Sequence, residues 1–352
     1  MTVVTMKRYF YILLTLVVLA SCNAHEWPHG PEPEMDVSVD LVFDFTEIAL
    51  FKEIILTRAE DDDAGQSAAV RSDMEMRYIL RCYKAEGGSD YSRMPDAEFV
   101  FLNTDLEDPE FRCQVKLTPG HYRVKVWADY VKYGSTADLY YDTTDFRDIS
   151  IAASKEDYAG SDDMRDAFVG EQEVTVGSIP ASMTGQPQES TRIMMQRPFA
   201  KFKFVTTDFV DFVQKYLGLT DPEEIAQADL SGYRVLFRYT GYLPTHYNLL
   251  TEKPFDAATG YEFFSTLSEP TATEATLGFD YVFVNGTESS VSVALGIYDR
   301  DGNLLSFSQP IEVPLMRNRL TIVSDKFLSQ SATSSITIDT EYDGNYDIYY
   351  NE

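Results

Sequence analysis

The sequence predicts an all-β protein of two tandem β-sandwich domains, with a short helix inserted in the second. Three observations carry this. The chain holds 23 Tyr and 22 Phe, with Gly and Pro recurring throughout, as expected of short strands joined by turns. Apolar residues alternate with polar ones in many short runs, the mark of half-buried strands. One polar, breaker-rich stretch, Ser182–Ser190, divides the 352 residues into two halves, each long enough for a domain.

Met6-Lys7-Arg8 opens the chain with positive charge, and Tyr9–Val18 is apolar apart from Thr15. Leu19-Ala20-Ser21-Cys22 follows, so residues 1–21 read as a secretory signal ending in small residues. The pattern resembles the lipobox of bacterial lipoproteins, which makes Cys22 the expected lipidation site and first mature residue. The apolar run is shorter than the roughly 20 residues a spanning helix needs. Several acyl chains on one residue, at about 0.8 kcal/mol per buried CH₂, would hold the protein to a membrane. Asn23 is not the aspartate that favours inner-membrane retention, which points to the outer membrane. Residues 22–36, with three prolines and a glycine, form an extended linker.

Without residues 1–21 the chain loses two of its 29 basic residues, leaving 27 against 57 acidic ones and a formal charge of −30. Such a chain repels nucleic acid and anionic headgroups.

The first domain is placed at 37–182. Val37, Val39, Leu41, Phe43 and Phe45 share one strand face, and further strands are predicted near 76–84, 97–103, 111–117 and 121–131. The clearest hairpin turns at Thr118-Pro119-Gly120. In its second arm Tyr122, Val124, Val126, Ala128 and Tyr130 face inward. Alternation therefore puts Trp127 with Arg123, Lys125 and Asp129 on the other face, to be covered by 134–170 or by another domain. The stretch 134–170 reads as irregular, with one short helix near 162–168, before a closing strand at Glu173–Ile179.

The second domain is placed at 191–352. Phe199–Phe204 alternates, and Asp208 is expected to cap a helix carrying Phe209, Phe212, Val213, Tyr216 and Leu217, stopped by Gly218. Strands follow near 232–240, 260–265, 277–284, 291–298, 304–312 and 318–324. Asp299–Asn303 fails the calcium-loop order and reads as a hairpin turn.

Cys82 and Cys113 lie in strand-like runs; a disulfide and a pair of buried free thiols both fit. His121 sits beside a turn and His246 in a loop, neither with a nucleophile's context. No metal-ligand spacing or phosphate-binding glycine loop occurs, so neither metal, cofactor nor enzymatic activity is expected. Carboxylate pairs are judged by separation in space, not by sequence.

Four stretches carry a family resemblance: Leu117–Tyr122 with Trp127–Val131; Tyr140–Phe146 with Arg165–Phe168; Arg197–Phe202; and Val313–Thr321. With the lipobox, they resemble the Bacteroidales fimbrillin-like lipoproteins of the type V pilus superfamily, in particular the anchor and accessory subunits. The resemblance implies transthyretin-like sandwiches, joining of subunits by β-strand exchange, and fimbrial stalk or accessory subunits as partners. It also implies a lipid-anchored place on the outer membrane at the cell surface. Loop arginines such as Arg58 and Arg71 are candidate processing points, against the plainer reading of ordinary loop residues. The run holding Ile336 and Ile338 is either an exchanged strand or the last strand of its own domain. The alternative function is that of a surface glycan-binding lipoprotein, supported by Trp27, Trp127, Tyr130, Tyr133, Tyr140 and Tyr141.

Overall fold

The computed structural model describes residues 36–46, 48, 52–55, 73–86, 91–105, 108–177, 190–285, 288–328, 336–338 and 348–350. Cys22, Trp27, Arg58 and Arg71 lie outside these residues. The protein is all-β, with two β-sandwiches and, among the described residues, two short helices, both in the second half.

The first sandwich is one continuous path of seven strands. In chain order these are β1 (Val37–Asp44), β3 (Met74–Lys84), β4 (Ala97–Asn103), β5 (Glu110–Leu117), β6 (Gly120–Lys132), β9 (Ala167–Val176) and β10 (Thr191–Gln196). Between them β2 (Lys52–Ile55), β7 (Tyr141–Asp142) and β8 (Ile149–Ile151) belong elsewhere. The spatial order is β4-β3-β6-β9-β10-β1-β5, and the sheet folds back so that Phe101 of β4 meets Phe111 of β5 at 6.3 Å. Inside, Phe43, Tyr78 and Phe111 stack at 4.4–5.9 Å, among Val39, Leu41, Leu80, Val124, Val126 and Ile193. Gly170 lies so close to Ile193 and Met195 that a Cβ would stand 2.8 and 2.7 Å from their side chains, which lets β9 and β10 approach.

The strand pairing corrects the expected domain boundary. Thr191–Gln196 pairs with β9 antiparallel and with β1 parallel, so it completes the first sandwich and does not open the second. A polar connection between two strands of one sheet looks, in sequence, just like an interdomain linker. The helix expected near 162–168 is a single 3₁₀ turn, Asp163–Arg165, with Asp162 accepting from the Met164 amide at 3.0 Å.

The second sandwich packs two sheets. One has the order β16 (Ala275–Phe283), β11 (Phe199–Thr206), β20 (Arg319–Asp325), β2. The other has the order β15 (Glu262–Thr266), β12 (Arg234–Tyr239), β17 (Glu288–Tyr298), β18 (Leu304–Phe307), with β19 (Ile311–Met316) also on β17. Between the sheets lie Phe202, Phe204, Phe237, Phe263, Leu277, Val293 and Ile297. The single strand expected at 304–312 is split in two around Pro310, which has no amide to donate. The Asp299–Asn303 turn joins β17 to β18, with Asp299 accepting from the Asp301 and Asn303 amides at 2.9 and 2.8 Å.

Helix α1 (Phe209–Leu217) buries Phe209, Phe212 and Val213 and ends at Gly218, whose φ of +72° is the left-handed stop glycine permits. Asp208 does not cap it. Its carboxylate accepts from the Leu328 amide at 3.1 Å and from the Thr206 hydroxyl, tying the helix start to the end of β20. Helix α2 (Pro222–Ala226) follows, capped by Asp221 with Pro222 in its first turn.

A small sheet of order β14 (Lys253–Ala258), β13 (Leu243–Asn248), β8, β7 draws strands from both halves of the sequence. His246, expected in a loop, lies on β13 and pairs with Ser150 of β8. Strands β21 (Ile336–Ile338) and β22 (Ile348–Tyr350) pair with each other, Ile336 opposite Tyr350 and Ile338 opposite Ile348, in a separate two-stranded sheet. This corrects the expectation of a last strand in the second sandwich: Ile336 and Ile338 join neither sandwich among the described residues. Among the described residues no helix is long and apolar enough to cross a membrane.

Candidate functional site: the junction of the sandwiches and the strand arms

Parts of all four stretches that carry the family resemblance meet in space, while Leu117 and Tyr122 lie in the core of the first sandwich. Trp127 on β6 is fully buried, on the face opposite Val124 and Val126, and meets Tyr141 edge-on at 5.4 Å. Tyr141 packs against Phe199 of β11 at 5.5 Å and Phe283 of β16 at 5.9 Å, and its hydroxyl donates to the Arg165 carbonyl. Ile79, Phe146, Ile149, Ala167, Val169, Tyr247, Leu249 and Tyr281 complete the buried part of this cluster. It lies between the two sandwiches and draws on both. Alternation placed Trp127 on this face; the segment 140–151 and the second sandwich cover it.

Around the apolar patch runs a set of buried and half-buried ion pairs. Arg197 precedes β11; its Nε donates to Asp166 at 2.7 Å, and its Nη1 reaches the Ile48 carbonyl at 3.3 Å and Asn318 Oδ1 at 3.2 Å. Arg317 donates to the Arg197 carbonyl at 2.8 Å and pairs with Glu252 at 3.3 Å. Lys125, on the Trp127 face of β6, is 1 % exposed and pairs with Glu171 and with Glu252 across the junction. Arg77 pairs with Asp129 at 2.7 Å and with Asp138 at 2.8 Å. One stretch, 158–166, crosses onto the second sandwich. There Arg165 pairs with Asp280, and Asp280 also accepts from the Tyr158 and Tyr239 hydroxyls, each at 2.7 Å. Lys201 pairs with Asp163 at 2.6 Å.

Burial sets the electrostatics. It pushes the Asp129 and Asp166 carboxyls up, against the pull of Arg77 and Arg197. It pushes the Tyr158, Tyr239 and Tyr281 hydroxyls well up, the neighbouring aspartates adding to the effect. The buried Asp129, Asp166 and Asp280 each answer an arginine and not one another, so this constellation fixes geometry. Among the described residues no group of three His, Cys, Asp or Glu is placed to hold a metal ion.

The remaining sequence-selected residues are scattered. Cys82 and Cys113 are both free thiols in the first core, each pushed up to about 12 chiefly by burial, so the disulfide allowed by the sequence is not present. His121 bonds Thr175 at 2.9 Å and His246 bonds Asp148 at 2.6 Å. Of the aromatics proposed for glycan contact, Trp127 and Tyr141 are core, Tyr130 and Tyr140 are half-buried, and Tyr133 is exposed.

The N-terminal arm was not legible as a unit. β1 is an inner strand of the first sandwich, held between β5 and β10. A few residues on, β2 lies parallel to β20 as the outermost strand of the second sandwich, Lys52 opposite Arg319 and Ile55 opposite Ile322. One segment thus completes a sheet in each domain. Its only sequence signal was the alternation of 37–45.

Two sandwiches locked through a buried junction define a two-domain β protein. Residues 32–352 match the family described as a family of unknown function (DUF6562), and the chain belongs to it. No curated protein matches. The chain is similar to a fimbrial assembly protein of Parabacteroides distasonis, with 12% identity, 91% of this chain and 100% of that chain covered, and a TM-score of 0.38. It is similar to the fimbrial anchor protein Mfa2 of Porphyromonas gingivalis, with 11% identity, 77% and 82% covered, and a TM-score of 0.35. A putative polysaccharide binding protein of Bacteroides thetaiotaomicron gives 11% identity, 78% and 80% covered, and a TM-score of 0.41.

Proposed function

We propose that this chain is a lipid-anchored fimbrial subunit of the cell surface, of anchor or accessory type, that joins its neighbours by β-strand exchange. The observation that carries the reading is the N-terminal arm, which supplies β1 to the first sandwich and β2 to the edge of the second. Sheets completed by a terminal segment through main-chain pairing are suited to accept a strand from another subunit. β2 has four residues in a parallel pairing, the slightly weaker kind per residue, and lies at an edge, so it is the easier of the two to displace. The convergence of the family-like motifs at the junction supports the same reading. In this proposal Cys22 carries the lipid at the outer membrane, Arg58 is a candidate processing point, and fimbrial stalk or accessory subunits are the partners.

The test has two arms. Cys22→Ala should move the protein from the membrane to the soluble fraction; unchanged partition with no lipid mass on the N-terminal peptide removes the anchor. Deleting 333–352, the segment holding β21 and β22, should leave both sandwiches folded and abolish co-purification of fibre-forming subunits. Retained binding, or cooperative unfolding on deletion, would show that assembly uses another surface.

A further inference from the structure

The outer face of the second sandwich carries a line of apolar side chains that the core does not use. Strand register puts Phe264 of β15, Leu236 of β12, Gly296 of β17 and Phe307 of β18 directly beside one another. Phe264 and Phe307 are 50 % and 48 % exposed, and Leu304 is 51 % exposed. Tyr298 meets Phe264 edge-on at 5.9 Å. Gly296 forms the floor between the two phenylalanines: a Cβ there would already stand 3.2 Å from Tyr298 and 3.5 Å from Leu304. At the rim, the Arg234 guanidinium lies 4.9 Å over the Phe264 ring and has no carboxylate partner among the described residues. Arg238 pairs with Glu262 at 2.9 Å, and Thr266 is exposed beside Arg234.

We propose that this face binds a neutral polysaccharide, with Phe264 and Phe307 as stacking platforms and Arg234 as the hydrogen-bonding fork. Three alternatives fail on physical grounds. A peptide strand needs free main-chain groups, which the sheet keeps at its outer edges, those of β15 and β18 among them; a strand added there would extend the sheet and not cover this face, where β12 and β17 are each paired on both sides. A stable protein partner needs about 800 Å² per side, whereas three half-exposed side chains of this size offer about 300 Å². A polyanion meets a chain of formal charge −28. What remains suits sugar rings. Neighbouring strands stand about 4.8 Å apart, so Phe264 and Phe307, three strands apart, are spaced by about 14 Å across a rigid sheet. A saccharide chain running across the strands would stack on both rings and pass over the glycine floor, with hydroxyls in reach of Arg234, Glu262 and Thr266. This inference does not rest on strand exchange.

Affinity electrophoresis of the whole chain tests it, through gels containing yeast mannan, galactomannan, xyloglucan or dextran, with polygalacturonate as the polyanionic control. At least one neutral polymer should retard the protein, and polygalacturonate should not. Phe264→Ala with Phe307→Ala should weaken retardation at least tenfold at an unchanged melting temperature, and Arg234→Gln should weaken it severalfold. Filling the floor with Gly296→Ala serves as a second, independent block. Equal retardation of the double variant, or none of the wild type by any neutral polymer, overturns the proposal. So does concentration-dependent self-association that the double variant abolishes, since the face would then join copies of this chain.

Discussion

The core of the first sandwich and the junction between the sandwiches are both buried, yet they are held by different physics. Around Phe43, Tyr78 and Phe111 the core is built of apolar and aromatic side chains in alternating register. Around Trp127 and Tyr141 the junction is rimmed by ion pairs, three of which, Arg77–Asp129, Arg197–Asp166 and Arg165–Asp280, have both members buried. Apolar packing tolerates rearrangement, whereas a buried carboxylate needs its arginine in one place or it is left uncompensated. The first region makes the domain stable; the second fixes how the two domains sit against each other.

The sharpest way to break that difference is to remove Asp280. Asp280→Ala leaves Arg165 and two tyrosine hydroxyls buried without their acceptor, and stability in urea should fall by about 3–5 kcal/mol. Replacing both partners with apolar residues, Arg165→Met with Asp280→Leu, should recover much of that loss. A loss below about 1 kcal/mol for the single change would show that the junction charges matter little.

Large-to-small changes come next. Phe43→Ala and Trp127→Ala should each cost about 3–5 kcal/mol, because each empties a packed site. Their calorimetric signatures should differ. Phe43→Ala should lower the first sandwich's stability with the domains still coupled, while Trp127→Ala should split one unfolding transition into two. Two transitions already present in the unchanged protein would mean that the junction does not couple the domains.

The smallest effect per group is alkaline. Burial holds the Tyr158, Tyr239 and Tyr281 hydroxyls well above their ordinary value of about 10, so above that pH only the unfolded chain releases their protons. The unfolded state then binds fewer protons than the native one. Stability should be unaffected by these groups below about pH 10 and fall above it, by about 1.4 kcal/mol per pH unit for each tyrosine. Tyr158→Phe should flatten the slope by one such share. A slope unchanged in that variant would place the alkaline loss elsewhere.

The aromatic content was legible but its placement was not. Trp127, correctly assigned to the second face of β6, stood among candidate sugar contacts yet is buried, Tyr133 from the same set is exposed, and Phe264 and Phe307, exposed in one row, lie on strands that read as ordinary alternation. In a period-two pattern, a large residue on the outer face looks the same whether water or a second domain covers it. The helix start at Asp208 shows the same limit. Its side chain was available as a cap, but the Leu328 amide, 120 residues away in sequence, claims the carboxylate.

By itself the sequence determined which side of each long strand is apolar, the hairpin at Asp299–Asn303 and the stop of α1 at Gly218. These depend on local periodicity and on backbone conformations that only certain residues adopt. The hairpin expected at Pro119-Gly120 is instead a crossing between strands that do not pair, since β5 lies on β1 and β6 lies between β3 and β9. Only the tertiary structure decided that Thr191–Gln196 closes the first sandwich, that β2 reaches the second, and that β8 pairs with β13. It alone decided, too, which groups cover the face of Lys125 and Asp129 and that Arg77 is buried with them. Alternation names no partner for such charges, and strand pairing is made by backbone groups that every residue shares. Which edge a strand joins and which polar face is covered are therefore settled by contacts distant in the chain.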